Sequence, residues 1–325
     1  MIASGIFFWV FFISRHRLHL QSSFYKITKI LIVVDVLFFW FFNIENRAFL
    51  YGPLGNILKG FPPDSFFYRI IMFGFYFCNY LRSCIIIIES LNRFISILSI
   101  NKRNSKTEYW LNQCVYPLLA ISILISLSQS WFYFWSTVLI GRFSKDIDSY
   151  GLSPSLTFMK TNGALRSACA GFIVGISCLV LNGWSVAFLI YRKKEFKTQR
   201  VGINLFVISM IDFVLHCFHA ATEITFYICL YIEEVRNIQL LENMFIVRMW
   251  VIDLDCLHRP WILLVMSEQI RNAVYRCVKK LPLTNSIIAM SGVNRGSIHP
   301  GGGHQSTPHN IRRHCEFDQK VMTVT

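Results

Sequence analysis

Four ionisable residues within one apolar stretch have the spacing of a single helical face: Asp212, His216, His219 and Glu223. They follow one another at intervals of four, three and four residues, and such intervals keep side chains in one stripe along an α-helix. Histidines and carboxylates in such a stripe can line a ligand pocket and transmit the effect of ligand binding to other helices, which is the interpretation we favour. They can also bind zinc, or they can simply pair with polar groups on neighbouring helices.

A second set of ionisable residues lies in the apolar segment of residues 66–100. Glu89 and Arg93 are four residues apart, so they share a helix face and are predicted to pair; Asn92 precedes Arg93. Arg82 lies nearer the middle of the segment, where an unpaired charge would be strongly destabilising. We therefore expect Arg82 to pair with an acid of another segment. The candidate acids are Asp253, Asp255 and Glu223.

Asp35 and Pro260 are two further residues inside apolar segments that bear on mechanism. Asp35 has valines on both sides, and an acid in such surroundings must face other helices rather than lipid. It is predicted either to belong to a polar hub that couples helix movements or to act as a hydrogen-bonded packing group. Pro260 lacks a backbone N–H, so it should kink its helix, either as a hinge or as a fixed bend. The predicted hub comprises Asp35, Arg82, Asp253 and Asp255.

The composition indicates that lipid is the solvent for much of the protein surface. Of the 325 residues, 54% are hydrophobic and only 15% are charged, whereas a soluble domain carries about 25% charged residues. The net charge of +14 would suit nucleic acid if Lys and Arg formed a stripe on a polar domain. Instead, they lie in short connections between apolar blocks and in the C-terminal tail. This distribution is typical of membrane topology and argues against nucleic-acid binding.

Seven apolar segments are candidates for helices that cross the hydrocarbon core, which takes about 20 residues. Each must be helical, because backbone groups in lipid need hydrogen-bond partners within the protein. The first segment has only 12 residues, and we interpret it as the inner part of a first spanning helix. The prediction is an all-α membrane protein with a seven-helix transmembrane bundle. The segments are residues 2–13, 25–44, 66–100, 115–140, 165–191, 201–231 and 244–266.

The distribution of Lys and Arg also predicts the orientation of the bundle. The loops after the first, third and fifth segments have a higher density of Lys and Arg than the three opposite loops. Loops of this kind stay in the cytoplasm. The N-terminus is therefore predicted outside the plasma membrane and the C-terminus inside.

The chain after the seventh segment divides into two parts. Within residues 267–280, Ile270, Val274 and Val278 recur at four-residue spacing with basic residues between them, which predicts a short amphipathic helix on the anionic inner leaflet. Cys277 lies within this helix and is predicted to be either palmitoylated or an ordinary unmodified cysteine. From Leu281 onwards the chain is polar and rich in glycine. Residues 1–280 are thus predicted to form the bundle, and residues 281–325 a disordered cytoplasmic tail.

Several short motifs together resemble those of nematode serpentine chemoreceptors of the gamma class, with the V class as the neighbouring alternative. The most specific motif closes the third segment, where Asn92, Arg93 and Phe94 follow Ser90-Leu91. The resemblance covers nearly all of residues 20–280. The other motifs are Phe24-Tyr25-Lys26 before Asp35, Tyr109-Trp110 before the fourth segment, and Arg259-Pro260-Trp261 followed by Arg271.

This resemblance implies a seven-helix chemosensory receptor of the G-protein-coupled type. Such a receptor binds an external small molecule or peptide and signals to a heterotrimeric G protein. Arg93 takes the position of the arginine at the G-protein face, and Pro260 that of the seventh-helix proline; Glu89 and Asn92 accompany Arg93. Two features depart from rhodopsin-like receptors: Asn92 replaces the acid before the arginine, and residues 141–162 lack the usual disulfide cysteine.

Other functions are compatible with a bundle of apolar helices. A transporter or channel for a small solute is the main alternative, but the two halves of the chain show no internal repeat. A membrane hydrolase would need further histidines beside His216 and His219, and only His258 is well placed. The seventh segment has no lysine to hold retinal as a Schiff base. The prediction is therefore a receptor without enzymatic activity, bound metal or cofactor.

Overall fold

The computed structural model describes residues 23–48, 52–62, 65–99, 105–142, 150–155, 163–191, 200–231, 238–266 and Arg271. Three predictions lie outside these residues: the short first segment, the amphipathic helix with Cys277, and the disordered tail. Arg271 is the exception within the predicted amphipathic helix. Its guanidinium donates hydrogen bonds to the carbonyl oxygens of Leu264 and Val265, so it caps the end of the seventh segment.

The described residues form six long α-helices and one short one. The short helix, α2 (Gly52–Lys59), connects the first two long helices. A π turn (Asn43–Arg47) extends the first long helix, and a 3-10 turn (Trp131–Trp135) extends the third. The long helices are α1 (Ser23–Phe42), α3 (Phe66–Ser99), α4 (Ser105–Ser130), α5 (Gly163–Tyr191), α6 (Arg200–Tyr231) and α7 (Ile238–Met266).

The long helices are those of a helical membrane protein. Four helical stretches are long and apolar enough to cross a bilayer: Ser23–Arg47, Phe66–Leu98, Tyr109–Trp135 and Leu165–Tyr191. The helices α6 and α7 have 32 and 29 residues, also more than the roughly 20 that a crossing needs. They carry the ionisable stripe and the predicted hub. A helical membrane protein is thus established, and the number of seven spans stays a prediction.

The fourth segment was predicted at residues 115–140, and this prediction is wrong at both ends. The helix begins ten residues earlier, at Ser105, because its polar first turns extend beyond the apolar stretch that hydropathy detects. It ends at Ser130, and Thr137–Arg142 forms strand β1, paired antiparallel with β2 (Tyr150–Ser155). A run of Thr, Val, Leu and Ile favours a strand as readily as a helix, so the all-α prediction missed this hairpin.

Helix α3 is the central element of the bundle. It packs against α1, α4, α5 and α6, and α7 packs against α6 and α1. Phe38 of α1 lies 5.3 Å from the ring of Phe75 on α3, between ring centroids, and is fully buried. Exposed apolar residues such as Trp184 and Trp250 lie on the outside of the helices. Because lipid is as apolar as these side chains, the helices are held together by van der Waals packing and polar contacts.

The hairpin of β1 and β2 marks one end of the bundle. It packs against α3, and β2 also packs against the π turn. Val138 of β1 is fully buried in the same hydrophobic core as the helices. We call this the hairpin end, and we call the other end of α3, near its last residue, the Arg93 end.

A neutral hydrogen bond between Asn79 and Ser167 joins α3 to α5. The amide of Asn79 donates to the hydroxyl of Ser167 at 2.8 Å, and both side chains are buried. Replacing Asn79 with alanine is expected to lower the free energy of unfolding by about 1 kcal/mol, since interhelical polar contacts in membrane proteins contribute about 0.6–1.7 kcal/mol. Thermal unfolding of the purified protein in detergent measures the loss.

Ser177→Ala is the matched control for Asn79→Ala. The Ser177 hydroxyl is exposed and donates only to Ile173 of its own helix, so its removal should leave the unfolding temperature unchanged. Equal losses from both substitutions would show that the α3–α5 contact contributes nothing to stability.

Candidate functional site

A chain of buried ionisable residues runs through the middle of the bundle from one end to the other. Its members come from α1, α3, α6 and α7, and most are less than a tenth exposed. Burying so many charges is costly unless each is paired. The contacts fall into a central cluster, a cluster at the Arg93 end and a cluster at the hairpin end.

The central cluster is built around Arg82, which is fully buried on α3. Its Nε donates to Asp35 Oδ1 at 2.6 Å, and its Nη1 donates to Asp255 Oδ2 at 2.6 Å. A third hydrogen bond runs from Nη2 to the carbonyl oxygen of Asp255 at 2.9 Å. His219 Nδ1 lies 2.9 Å from the same Asp255 Oδ2. The planar guanidinium, with its fixed fork of donors, is suited to hold α1, α3 and α7 together in this way.

The cluster at the Arg93 end is built around Glu89, whose two oxygens take different arginines. Oε1 accepts a hydrogen bond from Arg93 Nη2 at 2.6 Å, and Oε2 accepts one from Arg259 Nη1 at 2.7 Å. Arg259 also lies 3.3 Å from Asp212 Oδ2 and 3.5 Å from Asp35 Oδ2. Asp35 therefore links this cluster to the central one.

Arg93 is only partly satisfied by its neighbours. Its guanidinium lies 4.9 Å from the ring centroid of Phe24 on α1, a cation–π distance. Its Nε and Nη1 have no hydrogen-bond partner among the described residues, although the side chain is buried. Unsatisfied N–H donors on a buried guanidinium are unfavourable, so Arg93 keeps a capacity to bind a further acceptor.

The cluster at the hairpin end contains two arginines of different exposure. Arg248 Nε donates to Glu223 Oε1 at 2.5 Å in a fully buried pair. Arg47 Nη2 donates to Asp253 Oδ2 at 2.6 Å, and both of these side chains are about a fifth exposed. His219 Nε2 lies 3.7 Å from Glu223, which connects this cluster to the centre.

The predicted pairings are partly confirmed. Glu89 and Arg93 form the expected ion pair, and Asp255 is a partner of Arg82, as predicted. The other two candidate acids for Arg82 have different partners: Asp253 pairs with Arg47, and Glu223 pairs with Arg248. Asp35, predicted as a hub residue, is the second partner of Arg82.

The predicted stripe on α6 is buried along its whole length. Asp212 pairs with Arg259 and with His258, whose Nε2 lies 2.6 Å from Asp212 Oδ1. Glu223 and His219 also face residues of α7. His216 differs, since neither ring nitrogen has a hydrogen-bond partner among the described residues. The stripe therefore serves mainly to bind α7, and His216 is the member with free hydrogen-bonding capacity.

The zinc interpretation of the stripe finds no support in the described part of the chain. No group of three His, Cys, Asp or Glu residues there is arranged to hold a metal ion. The rings of His216 and His219 are 6.1 Å apart between centroids, at an angle of 60°. His219 is already engaged by two carboxylates.

The two remaining residues predicted to act in signalling, Pro260 and Asn92, are both buried in helices. Pro260 is buried inside α7, and the helix continues beyond it to Met266. It follows Arg259 directly, so any change of bend there moves the arginine held by Glu89. Asn92 is buried on α3, and its backbone carbonyl accepts a hydrogen bond from the Ser96 hydroxyl at 2.7 Å.

Sequence reasoning missed the importance of Arg259, Arg248 and Glu45. The two arginines neutralise Glu89, Asp212 and Glu223, which they contact directly. The spacing argument used for the α6 stripe would have identified them. Asp255 follows Arg248 by seven residues and precedes Arg259 by four, so the three share one face of α7. No comparable signal identified Glu45.

Comparison with protein-family models identifies a family for most of the chain. The family model described as Srg family chemoreceptor matches residues 1–274. The comparison with curated proteins found no match.

Proposed function

This chain belongs to the Srg family of chemoreceptors, the gamma class that its motifs resemble, and from that membership we propose how it signals. It binds an external chemical at the hairpin end and activates a heterotrimeric G protein at the Arg93 end. The hairpin end and the N-terminus then lie outside the plasma membrane, and the Arg93 end lies in the cytoplasm. Seven helices cross the bilayer, of which the first precedes Ser23.

The shared carboxylate of Glu89 is the observation that supports this proposal most. It holds Arg93 of α3 and Arg259 of α7 at once, through different oxygens. A signalling group must exchange an internal partner for an external one when helices move apart. Arg93 meets this requirement, because it has one internal partner at 2.6 Å and two donor nitrogens without one.

The buried ionic chain supplies a route between the two ends. A ligand that binds one arrangement of the helices more tightly shifts the population toward it. Movement of α7 at the hairpin end would alter Arg248 and Asp255, and Pro260 lets α7 bend beside Arg259. The stripe on α6 carries the relay, since three of its four members contact α7 directly.

The family assignment does not favour the alternative of a transporter or channel. The family is one of receptors, and we propose no enzymatic activity for this chain.

A ligand screen with an Arg93 variant tests the proposal. Cells expressing the chain with a calcium or cyclic-nucleotide reporter are exposed to a panel of small chemicals. Replacing Arg93 with alanine is expected to reduce the response about tenfold or more, since a hydrogen bond to a charged group contributes about 1.5–3 kcal/mol. Surface expression is measured in parallel by labelling an external tag.

Lys26→Ala is the control for loss of a cation at the same end. Lys26 lies near Arg93's neighbour Phe24 on α1, and its amino group contacts the Tyr116 ring at 5.6 Å. The Lys26 variant should respond like the wild type. An Arg93→Ala receptor that signals normally at equal surface expression would refute the proposed role of this arginine.

A further inference from the structure

Glu45 is a buried acid at the hairpin end that has no ion-pair partner among the described residues. It lies on the π turn that extends α1 and is only 6% exposed. Its Oε2 atom has no hydrogen-bond partner in the described part of the chain. The wider π turn continues the helix beyond Phe42 and directs Glu45 inward, and such turns often occur at functional sites.

The charges around Glu45 do not balance locally. Of the charged side chains, Arg248 and Glu223 lie within electrostatic range of its carboxylate. Arg248 is already hydrogen-bonded to Glu223 at 2.5 Å. The group therefore contains two carboxylates and one guanidinium, and the nearest further basic group, His219, lies 3.7 Å from Glu223. Glu45 itself has no cation paired with it among the described residues. An uncompensated buried carboxylate is costly, so this position is suited to bind a positive charge from outside the chain.

Three tyrosines lie on the elements near this position. Tyr76 of α3 and Tyr133 of the 3-10 turn stack in parallel, with ring centroids 4.0 Å apart, and both lie within electrostatic range of Glu45. Tyr80, one helical turn after Tyr76, is buried, and its hydroxyl has no hydrogen-bond partner among the described residues. Aromatic faces attract cations, and they also pack against an apolar ligand body.

We propose that Glu45, Tyr80 and the Tyr76–Tyr133 stack form the ligand site, and that the ligand is a small molecule with a protonated amine and an apolar or aromatic body. The carboxylate of Glu45 accepts the ammonium, the Tyr80 hydroxyl takes a second polar group, and the stacked tyrosines contact the body. This inference rests on the proposed function only in taking the hairpin end as the ligand side.

Direct binding to the full chain in lipid nanodiscs, without a G protein, tests this site. The probes are phenethylamine and hexylamine, each compared with its matched alcohol. At least one amine should bind, and about tenfold or more tightly than its alcohol, since a charge-assisted contact to a buried carboxylate is among the strongest polar contacts. Binding of neither amine, or equal binding of amine and alcohol, would overturn the proposal.

Substitutions test which residue binds the amine. Glu45→Gln should remove the preference for the amine, and Glu45→Asp should retain it in part. Tyr80→Phe should weaken binding a few-fold without changing the fold, and it provides a second test if Glu45→Gln does not accumulate. Tyr191→Phe, at an 87% exposed position, should bind like the wild type. Unchanged amine binding in Glu45→Gln would refute the site.

The two proposals fail separately in these experiments. Glu45-dependent amine binding without any reporter response would uphold the site and refute signalling through a G protein. A reporter response to chemicals that lack an amine, unchanged in Glu45→Gln, would uphold the proposed function and refute the site.

Discussion

Replacing Arg82 with alanine is expected to prevent most of the receptor from folding. Arg82 is 1% exposed and is the ion-pair partner of both Asp35 and Asp255. Its removal leaves Asp35 with the more distant Arg259, at 3.5 Å, and Asp255 with His219. Breaking a buried pair costs about 3–5 kcal/mol. Because the stability of a folded protein is only about 5–15 kcal/mol, surface expression should fall strongly. Labelling of surface receptor and thermal unfolding in detergent both measure the effect.

Arg47→Ala is the matched control, because Arg47 also joins an aspartate of α7 through a 2.6 Å contact. Its side chain and that of Asp253 are about a fifth exposed, and exposed ion pairs contribute about 1 kcal/mol or less. Surface expression should therefore change little. Similar losses in both variants would show that burial of the Arg82 pairs is not what determines the cost.

Neutralising the acids provides a further test of the same argument. If the cost of Arg82→Ala arises from uncompensated charge, then adding Asp35→Asn and Asp255→Asn should recover part of the lost expression. The effects of these substitutions on expression should be clearly non-additive, as is usual for residues of one ion-pair network. Strictly additive losses would indicate that Arg82 acts through packing instead.

The helices and one ion pair could be predicted because they depend on local information. Apolar segments of spanning length must be helical in lipid, and four of the six described long helices agree with their predicted ranges to within two residues. Helix α7 ends where predicted but begins six residues earlier, at Ile238. The Glu89–Arg93 pair follows from a four-residue spacing on one helix. The fourth segment failed at its end because an apolar run does not distinguish helix from strand, and Thr137–Arg142 became a strand.

The partners across helices could not be predicted with the same certainty. Residues of α6 and α7 pair in opposite order along the chain: Asp212 with Arg259, His219 with Asp255, and Glu223 with Arg248. This is the order expected of two consecutive antiparallel helices whose polar stripes face each other. The α6 stripe was recognised and the complementary α7 stripe was not, although the same spacing rule describes both. Predicting the pairs required placing one helix against the other.

Glu45 illustrates a different kind of failure. An acid just beyond an apolar segment is typical of a loop residue that faces water. The sequence does not indicate that the helix continues as a π turn. The structure buries Glu45 on the π turn, against which β2 packs. Its burial depends on the hairpin and on α7, which are distant in the chain, so it could be seen only in the assembled bundle.

Replacing Glu89 with glutamine is expected to raise signalling in the absence of ligand by about 10- to 100-fold, since a hydrogen bond to a charged group contributes about 1.5–3 kcal/mol and each 1.4 kcal/mol is a factor of ten. Glutamine keeps the shape of the side chain but removes the charge that holds Arg93 and Arg259 inside the bundle. Arg93 then loses its ion-pair partner and becomes available to a G protein, while Arg259 keeps its contacts with Asp212 and Asp35. The reporter signal without added chemicals, normalised to surface expression, measures the change.

Asp212→Asn is the control for Glu89→Gln. It distinguishes two causes of a raised basal signal, the release of Arg93 and a weaker attachment of α7. It removes another acid from Arg259, at 3.3 Å, but leaves the pair of Glu89 with Arg93 intact. Its basal signal should stay close to that of the wild type. An equal rise in both variants would assign the effect to α7 rather than to Arg93. A Glu89→Gln receptor that reaches the surface and stays silent without ligand would show that Glu89 does not hold the receptor in its inactive arrangement.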